Sequence, residues 1–311
     1  MPQSSRSAGI LEKVRNVRFW KRGEERAPHK PLLFLLALGR VTRGEKRLAL
    51  FPDIEHKLAR LLEEFGPPRQ SVHPEYPFWR LQRDGLWEVQ GADHLPRRRS
   101  NQDPLASAMR RNRVSGGFPE EIDRAFREDP SLVAAAALTV LQNHFPSSLH
   151  AEILAAAGLS HVMLPQPGEP DAMFRESVLE AYGHACALCG YDVRLGRADL
   201  GLGAAHIRWR PAGGEDHVTN GLALCAVHHR AFDRGAVTLK SEDYRILVSD
   251  RLHGHSGFQE WFAAFERREA RLPKHAALLP SRSCLEWHEK NVFWRSGTPG
   301  GRMAGAAGAS R

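Results

Sequence analysis

The chain has 311 residues and a formal net charge of +8, and 42% of its residues are hydrophobic. This length predicts about two domains, and the hydrophobic content is typical of a soluble globular protein. No stretch approaches the ~20 consecutive apolar residues that cross a membrane. The first residues also lack the apolar segment of a secretion signal, so we expect a cytoplasmic protein that does not bind membranes.

The basic charge is concentrated in the first half of the chain. Residues 1–165 contain 25 Lys and Arg against 19 Asp and Glu, whereas residues 166–311 contain 19 against 17. A basic excess favours a polyanionic partner such as nucleic acid, because neutralised phosphates release counterions. A generally arginine-rich composition would give the same balance, so charge alone leaves both interpretations open.

Hydrophobic periodicity predicts a mostly helical first half with a few strands. In chain order, the predicted elements are helices over residues 10–19 and 32–41, a strand over 46–51, a helix over 53–65, a β-hairpin formed by 78–82 and 86–90, and helices over 120–127, 131–144 and 149–156. The hairpin is predicted from the turn residues Arg83, Asp84 and Gly85. This order of elements predicts a winged-helix-like DNA-reading domain with extra helices.

A proline-rich segment separates this half from the second. Residues 164–171 contain three prolines and a glycine, which is the composition of a linker. We therefore predict a first domain over residues 1–165 and a second over 166–295. The remaining tail, residues 296–311, is rich in Gly, Ala and Ser and is predicted to be disordered.

Three of the four cysteines lie close together in the second domain and form part of a split metal-ligand set. Cys186 and Cys189 are one pair with two residues between them, and Cys225 and His228 are a second such pair. Thiolate and imidazole ligands in two pairs are typical of a closed, tetrahedral structural zinc site. The alternative is that the four residues are buried without a metal. Because no coordination position is left for water, the predicted zinc is structural.

The segment between the two pairs predicts a compact β-β-α unit. Residues 204–209 are predicted to form a strand, residues 221–224 a returning strand, and residues 226–233 a helix. This order would bring the two ligand pairs together, so that zinc clips the ends of the unit.

His206, Asn220 and His229 in this unit resemble the signature positions of HNH nucleases, in the zinc-clipped subtype that begins with an Ala-His-Ile motif. The resemblance extends from about Phe174 to Leu239. It implies a ββα-metal fold and a metal-dependent DNA endonuclease.

Phosphodiester hydrolysis explains why these residue types are needed. A neutral histidine can accept the proton of the attacking water, and this role is assigned to His206. His229 would hold a divalent cation, magnesium or manganese, against the scissile phosphate, and Asn220 would orient His206 through a hydrogen bond. The alternative is that His206 is a half-buried strand residue and His229 a spectator beside the zinc.

One position departs from the family pattern. Many HNH nucleases have an Asp or His directly before the first signature His, as a second metal ligand, whereas this chain has Ala205. The catalytic cation would then have one protein ligand plus waters, which magnesium tolerates, or Asp233 would assist. The sequence leaves these two arrangements open.

Three segments of the first domain resemble the sulfur-binding domain of modification-dependent restriction enzymes, which recognise DNA with sulfur in place of a non-bridging phosphate oxygen. The segments are residues 27–33, 75–79 and 145–150. The resemblance implies that Tyr76 and Pro77 form an apolar cup for the sulfur. It also implies that His29 and Lys30, at a helix N-terminus, hold the phosphate.

By the same resemblance, a basic loop would enter the major groove and read bases. Its residues are Arg97, Arg98, Arg99, Ser100 and Asn101. A plainer interpretation stays open for each group of residues. His29 and Lys30 would only begin a helix, Tyr76 and Pro77 would form a loop packed on the core, and Arg97 to Arg99 would be a solvated basic run.

Together these features predict an α+β protein with a mostly helical, winged-helix-like first domain and a zinc-clipped ββα-metal second domain. The expected function is that of a type IV, McrA-like restriction endonuclease acting on phosphorothioate-modified double-stranded DNA, with a homodimer as one expected assembly. Two alternatives remain: an HNH endonuclease that reads methylated or unmodified DNA, and a non-cutting DNA reader whose zinc module is structural.

Overall fold

The computed structural model describes residues 2–16, 28–68, 71–99, 101–162 and 172–295. The chain divides into two compact units, the first chiefly Met1–Pro67 and His73–Pro170 and the second chiefly Asp171–Arg208 and Gly214–Arg311. The predicted linker (residues 164–171) and tail (residues 296–311) lie outside the described residues, so the domain boundaries stay predictions. No helix in the described part of the chain is long and apolar enough to cross a membrane.

The first unit consists of helices around a small antiparallel sheet. Its helices are α1 (Pro2–Arg15), α2 (His29–Thr42), α3 (Phe51–Phe65), α4 (Glu75–Arg80), α5 (Ala106–Arg111), α6 (Glu120–Glu128), α7 (Pro130–His144) and α8 (His150–Ala157). Its strands are β1 (Ala49–Leu50), β2 (Glu88–Gln90) and β3 (Ser115–Gly117). Both outer strands pair antiparallel with β3, in the order β1-β3-β2.

Helix α2 forms the centre of this unit because its sequence is apolar on every side. Leu32, Leu33 and Leu35 are fully buried, and most of the helix is inaccessible to solvent. A helix that is hydrophobic all round is stable only when other elements surround it. Helices α3, α4, α6, α7 and α8 all pack against α2, and the helix predicted over residues 32–41 is confirmed.

The predicted hairpin of residues 78–82 and 86–90 is wrong. Helix α4 and a following 3-10 turn occupy its first half, and Gly85, with a φ of +67°, ends that turn. Phe78 and Leu81 are both fully buried, and their spacing of three suits one face of a helix, whereas a strand would point them to opposite faces. Strand β2, in the second half, pairs with the distant β3.

The other predicted elements of the first unit are present with shifted boundaries. The strand predicted over residues 46–51 shortens to β1, because Phe51 already begins α3. The helix predicted over residues 10–19 corresponds to α1, which begins earlier, and residues 17–19 lie outside the described residues. The remaining predicted helices correspond to α3, α6, α7 and α8. The chain therefore mixes helices and small sheets, and the winged-helix-like arrangement stays a prediction.

The second unit contains small two-stranded sheets and short helices. Its helices are α9 (Ala172–Ala181), α10 (Ala226–Asp233), α11 (Ser256–Trp261) and α12 (Arg282–Asn291). Its strands are β4 (Arg194–Leu195), β5 (Ala198–Asp199), β6 (Leu202–His206), β7 (Gly221–Cys225), β8 (Val237–Leu239) and β9 (Ile246–Val248). The strands pair antiparallel as β4-β5, β6-β7 and β8-β9.

The predicted β-β-α unit is confirmed as β6, β7 and α10. The register places Leu202 opposite Cys225 and His206 opposite Gly221. Helix α10 follows β7 directly, with Cys225 as its N-cap residue. The strand predicted over residues 204–209 begins two residues earlier and ends at His206.

Helix α9 packs closely against the β6–β7 hairpin. A Cβ at Gly221 would lie 2.3 Å from Cγ2 of Val178 and 3.2 Å from the ring of Phe174. Only glycine leaves room for this approach. The close packing brings the Phe174 ring against His206, on the strand opposite.

Candidate functional site

The ring of His206 is held on two sides at the end of β6. Phe174 stacks on it, with 4.0 Å between ring centroids and 16° between the ring planes. Nε2 of His206 lies 2.7 Å from Oδ1 of Asp216, which belongs to the loop between β6 and β7. The side chain is 15% exposed. The ring is therefore fixed in orientation yet open to solvent, as a proton acceptor requires.

Asn220 fastens the loop that joins β6 to β7. Its Oδ1 accepts a hydrogen bond from the main-chain N–H of Arg208 at 2.8 Å, and its Nδ2 donates to the carbonyl oxygens of Arg208 and Glu215, each at 3.0 Å. Its own carbonyl accepts from the N–H of Ile207, the residue after His206. The predicted orienting role of Asn220 stays a prediction, and the observed bonds connect it to the main chain beside His206.

His229 lies on α10 next to Asp233, one helical turn later. Nε2 of His229 is 3.4 Å from Oδ2 of Asp233, and Nδ1 lies near Gly203 on β6. Burial alone would lower the pKa of His229, but the Asp233 carboxylate outweighs this and raises the pKa above its ordinary value. Ala205 is buried and offers no ligand atom. The carboxylate found beside His229 is therefore Asp233, on the same helix.

The four predicted zinc ligands converge at the other end of the β6–β7 hairpin. The ligand atoms of Cys186, Cys189, Cys225 and His228 all lie within 4.8 Å of one another. Hydrogen bonds with Cys189 and Cys225 lower the pKa of the Cys186 thiol, which favours the metal-binding thiolate. Tetrahedral zinc with Zn–S bonds of about 2.3 Å places two sulfur atoms about 3.8 Å apart. Sγ of Cys189 and Sγ of Cys225 are 3.9 Å apart, so the cluster fits such an ion.

His228 is oriented by contacts on the side of its ring away from the cysteines. Its Nε2–H donates to the carbonyl oxygen of Trp261 at 2.7 Å, while Nδ1 lies 3.2 Å from Sγ of Cys225. Phe262 and Phe265 contact the ring edge-on. The bond to Trp261 keeps the hydrogen on Nε2 and leaves Nδ1 as the nitrogen that can bind metal.

In the first unit, Tyr76 on α4 is surrounded by cationic and aromatic side chains. His73 stacks on its ring with 4.9 Å between centroids. The guanidinium carbons of Arg80 and Arg98 lie 4.6 and 5.0 Å from the ring centroid, which are cation–π distances. Pro77 is buried. The Tyr76 ring is thus a half-buried apolar surface rimmed by positive charge.

Two buried carboxylates fix these arginines. Nη2 of Arg98 donates to Oε1 of Glu75 at 2.9 Å, and Nε of Arg80 donates to Oδ2 of Asp103 at 2.7 Å. The side chains of Glu75 and Asp103 are only 5% and 1% exposed. Ion pairs with a buried partner are screened less by solvent and salt than exposed pairs. Both guanidinium groups are therefore positioned beside Tyr76.

The basic loop is closed by main-chain hydrogen bonds. The N–H of Arg98 donates to the carbonyl of Asp103, and the N–H of Gln102 donates back to the carbonyl of Arg98, both at 2.9 Å. Oδ1 of Asn101 accepts from the N–H of Asp103 at 3.0 Å. Gln102 has a φ of +61°. These bonds hold the described residues on either side of Ser100 in place.

The other residues predicted for this loop are less enclosed. The guanidinium of Arg97 lies over the ring of Trp79, 4.2 Å from its centroid. Arg99 is exposed. Ser100 lies outside the described residues. The predicted base-reading role of the loop stays a prediction.

His29 and Lys30 begin α2, as predicted. Nζ of Lys30 forms an ion pair with Oδ2 of Asp84 at 2.5 Å, and their side chains are 16% and 3% exposed. This pairing reduces the positive charge that Lys30 offers to another anion. The role of His29 and Lys30 in holding a phosphate stays a prediction.

A family model described as "ScoMcrA-like, DNA sulfur-binding domain" matches residues 7–162, half of the chain. The chain belongs to this family. A second family model, for HNH endonucleases, matches residues 186–240, which contain His206, Asn220 and His229. The chain therefore joins a ScoMcrA-like DNA sulfur-binding domain to an HNH endonuclease domain, and the predicted resemblance is confirmed.

Solved structures include several with similar chains. The sulfur-binding domain of ScoMcrA complexed with phosphorothioated DNA is 28% identical; the match covers 49% of this chain and 97% of that one, with a TM-score of 0.44. The type IV phosphorothioation-dependent restriction endonuclease ScoMcrA is 26% identical, over 56% of this chain and 34% of that one, with a TM-score of 0.41. The SprMcrA sulfur-binding domain complexed with phosphorothioated DNA is 24% identical; the match covers 52% of this chain and 99% of that one, with a TM-score of 0.44. No curated protein matches the chain.

Arg80 and Asp216 are among the residues at these sites that were not predicted. Arg80 follows Tyr76 by four residues, and residues at this spacing lie on one face of a helix. The predicted hairpin assigned Arg80 to a strand, so this neighbourhood was not recognised. Asp216 follows His206 by ten residues in a loop, where periodicity carries no information about position. A carboxylate in the loop after the first signature histidine narrows the candidates to Glu215 and Asp216, but the sequence does not choose between them.

Proposed function

We propose that this protein is a type IV restriction endonuclease that binds phosphorothioate-modified double-stranded DNA and hydrolyses phosphodiester bonds nearby. One observation carries the proposal. A single chain combines a family-matched DNA sulfur-binding domain with an HNH domain in which His206, Asn220 and His229 are all present. A domain that recognises a DNA modification and a domain built for phosphodiester hydrolysis together make a modification-dependent nuclease.

The surroundings of Tyr76 support sulfur recognition. Sulfur is larger and less hydrated than oxygen, so the half-buried ring of Tyr76, with the buried Pro77 beside it, would accept sulfur and would penalise a strongly hydrated phosphate oxygen. Arg80 and Arg98 would supply charge-assisted hydrogen bonds to the phosphate groups. Because buried carboxylates already hold both arginines, little side-chain entropy would be lost on binding.

In the HNH domain, His206 would act as the general base. It would take a proton from a water molecule as the water oxygen bonds to phosphorus and the bond to the leaving 3′-oxygen breaks, and the 3′-oxygen would take up a proton from solvent water to become a hydroxyl. The stacked Phe174 ring would keep the imidazole in place during this step. Asn220 would hold the loop that shapes this side of the site.

His229 and Asp233 would hold the catalytic cation, magnesium or manganese. Their Nε2 and Oδ2 atoms are 3.4 Å apart, near the roughly 3 Å between adjacent ligands of an octahedral cation with bonds of about 2.1 Å. When bound, the cation would neutralise charge that develops on the phosphoryl oxygens. The Cys186, Cys189, Cys225 and His228 cluster would hold structural zinc, since thiolate and imidazole ligands suit that ion.

Binding of matched duplexes with and without one phosphorothioate tests the sulfur-recognition part of the proposal. The full chain carrying His206→Ala should bind the modified duplex at least about tenfold more tightly, which corresponds to about 1.4 kcal/mol. Adding Tyr76→Ala should remove most of this preference, because the apolar surface is lost. Affinity for unmodified DNA should change little, because Glu75 and Asp103 still hold the two arginines. Gel-shift titrations at several salt concentrations measure both affinities.

Tyr76→Phe is the matched control, since it keeps the ring and removes only the hydroxyl. It should retain the preference for the modified duplex. If the protein carrying only His206→Ala bound the two duplexes with equal affinity in several sequence contexts, sulfur recognition would be refuted. That result would favour an HNH enzyme that reads methylated or unmodified DNA.

A further inference from the structure

The carboxylate of Asp216 contacts the proposed general base directly. Oδ1 of Asp216 lies 2.7 Å from Nε2 of His206, and the two side chains are 21% and 15% exposed. An ionised carboxylate can only accept hydrogen bonds, so the hydrogen in this contact belongs to Nε2. A neutral imidazole has one N–H and one lone-pair nitrogen. Asp216 therefore favours the tautomer in which Nδ1 carries the lone pair.

Asp216 is itself held in place by Asn220. Nδ2 of Asn220 donates to the carbonyl of Glu215, immediately before Asp216, and to the carbonyl of Arg208, two residues after His206. One buried amide group thus joins the two chain segments that carry the two partners. A Cβ at Gly214 would lie 1.8 Å from the Arg208 carbonyl oxygen, so only glycine permits this closure.

The Phe174 ring provides a third constraint. It stacks nearly parallel on the His206 imidazole, which opposes tilting of the ring out of its plane, whereas the bond to Asp216 opposes a flip about the Cβ–Cγ bond. Neither contact alone fixes both the plane and the identity of the lone-pair nitrogen. Together they favour the ring orientation and the neutral tautomer in which Nε2–H faces Asp216.

We propose that Asp216 is a positioning residue for catalysis: it holds His206 with hydrogen on Nε2, so that Nδ1 is the nitrogen that accepts the proton of the attacking water. This inference rests on the proposed role of His206 as the general base. It gives Asn220 a definite physical task, because the Asn220 side chain fixes the loop that presents Asp216.

Asp216→Asn is the central variant. Its amide can either accept from Nε2–H or donate to a bare Nε2, so the tautomer is no longer determined. We expect the maximal cleavage rate, kcat, to fall by about 10- to 100-fold, by analogy with the loss found when the hydrogen-bond partner behind a metal-ligating histidine is removed. KM and DNA affinity should stay near their wild-type values. Asp216→Glu, which keeps the carboxylate, should recover part of the loss.

Glu215→Gln is the matched control. It removes one negative charge from the neighbouring position of the same loop, but Glu215 contacts Asn220 through its main-chain carbonyl, which the substitution leaves in place. Cleavage by Glu215→Gln should stay within about twofold of wild type. If Glu215→Gln and Asp216→Asn lowered the cleavage rate equally, the negative charge of the loop would matter rather than the bond from Asp216 to His206. That result would overturn the proposal.

The tautomer can be observed without any cleavage assay. Long-range ¹H–¹⁵N correlation spectra of the full-length protein, in which the His206 signals are assigned by their loss in His206→Gln, report which ring nitrogen carries the hydrogen. We expect Nε2–H in the wild type and a mixture in Asp216→Asn. A wild-type His206 with its hydrogen on Nδ1, or a fully active Asp216→Asn variant, would overturn the inference. A wild-type protein that shows the Nε2–H form but cuts no DNA would instead refute the proposed function.

Discussion

His206→Ala is expected to lower the rate of phosphodiester cleavage by about 10²- to 10⁴-fold, because it removes the proposed proton acceptor at the end of β6. DNA affinity should stay unchanged, since the sulfur-binding domain matches a separate part of the chain, residues 7–162. Single-turnover cleavage with magnesium or manganese, compared with a gel-shift titration of the same protein, separates the two effects.

His217→Ala is a suitable control for this substitution. His217 is an exposed histidine in the same loop, and its ring hydrogen-bonds to Thr219. The variant should cleave at nearly the wild-type rate. If His206→Ala cleaved as fast as His217→Ala, His206 would not be the general base.

Cys186→Ser is expected to abolish zinc binding and to unfold the second unit. Cys186 is fully buried, and its thiol faces Cys189, Cys225 and His228. Structural zinc contributes about 10–16 kcal/mol in small zinc modules, which is comparable to the whole stability of a typical domain, about 5–15 kcal/mol. Metal analysis should give one zinc per wild-type chain and none in the variant, and limited proteolysis should degrade residues of the second unit first.

Cys284→Ser is the matched control, because Cys284 is half-buried and is not part of the metal-binding cluster. It should keep both zinc and cleavage activity. A mild chelator should remove the catalytic cation from the wild type before it removes zinc, since the cluster offers four protein ligands. Folded, active wild-type protein without zinc would contradict this assignment.

The ββα unit and its metal cluster could be predicted because their signals are local. Two ligand pairs, each with two residues between members, flank the predicted strands, and the second pair begins the predicted short helix. The structure has β6, β7 and α10 in that order, and brings the four ligands together. Short spacings constrain geometry directly, without reference to the rest of the fold.

The surroundings of Tyr76 could not be predicted in the same way. The turn residues Arg83, Asp84 and Gly85 suggest a hairpin, whereas packing of Phe78 and Leu81 in the core beside α2 decides in favour of a helix. That choice places Arg80 on the same side as Tyr76. The partner of β2 is β3, a glycine-containing segment with no strand signal of its own. Both outcomes depend on contacts between residues far apart in the sequence.

Asp216 illustrates a different limit. Its position beside His206 results from side-chain to main-chain hydrogen bonds that close an irregular loop. Such bonds have no period and no fixed spacing, so residue types alone did not distinguish Asp216 from Glu215. The fold had to be known before the partner of His206 could be named.

The most direct test of the account is cleavage of two matched DNA duplexes by the wild-type protein. The duplexes should have the same sequence and differ in one phosphorothioate, with magnesium or manganese present in both reactions. The account predicts efficient cleavage near the sulfur-modified site and at least about tenfold slower cleavage of the unmodified duplex. Equal cleavage of both duplexes, or tight binding of the modified duplex with no cleavage of either, would contradict it.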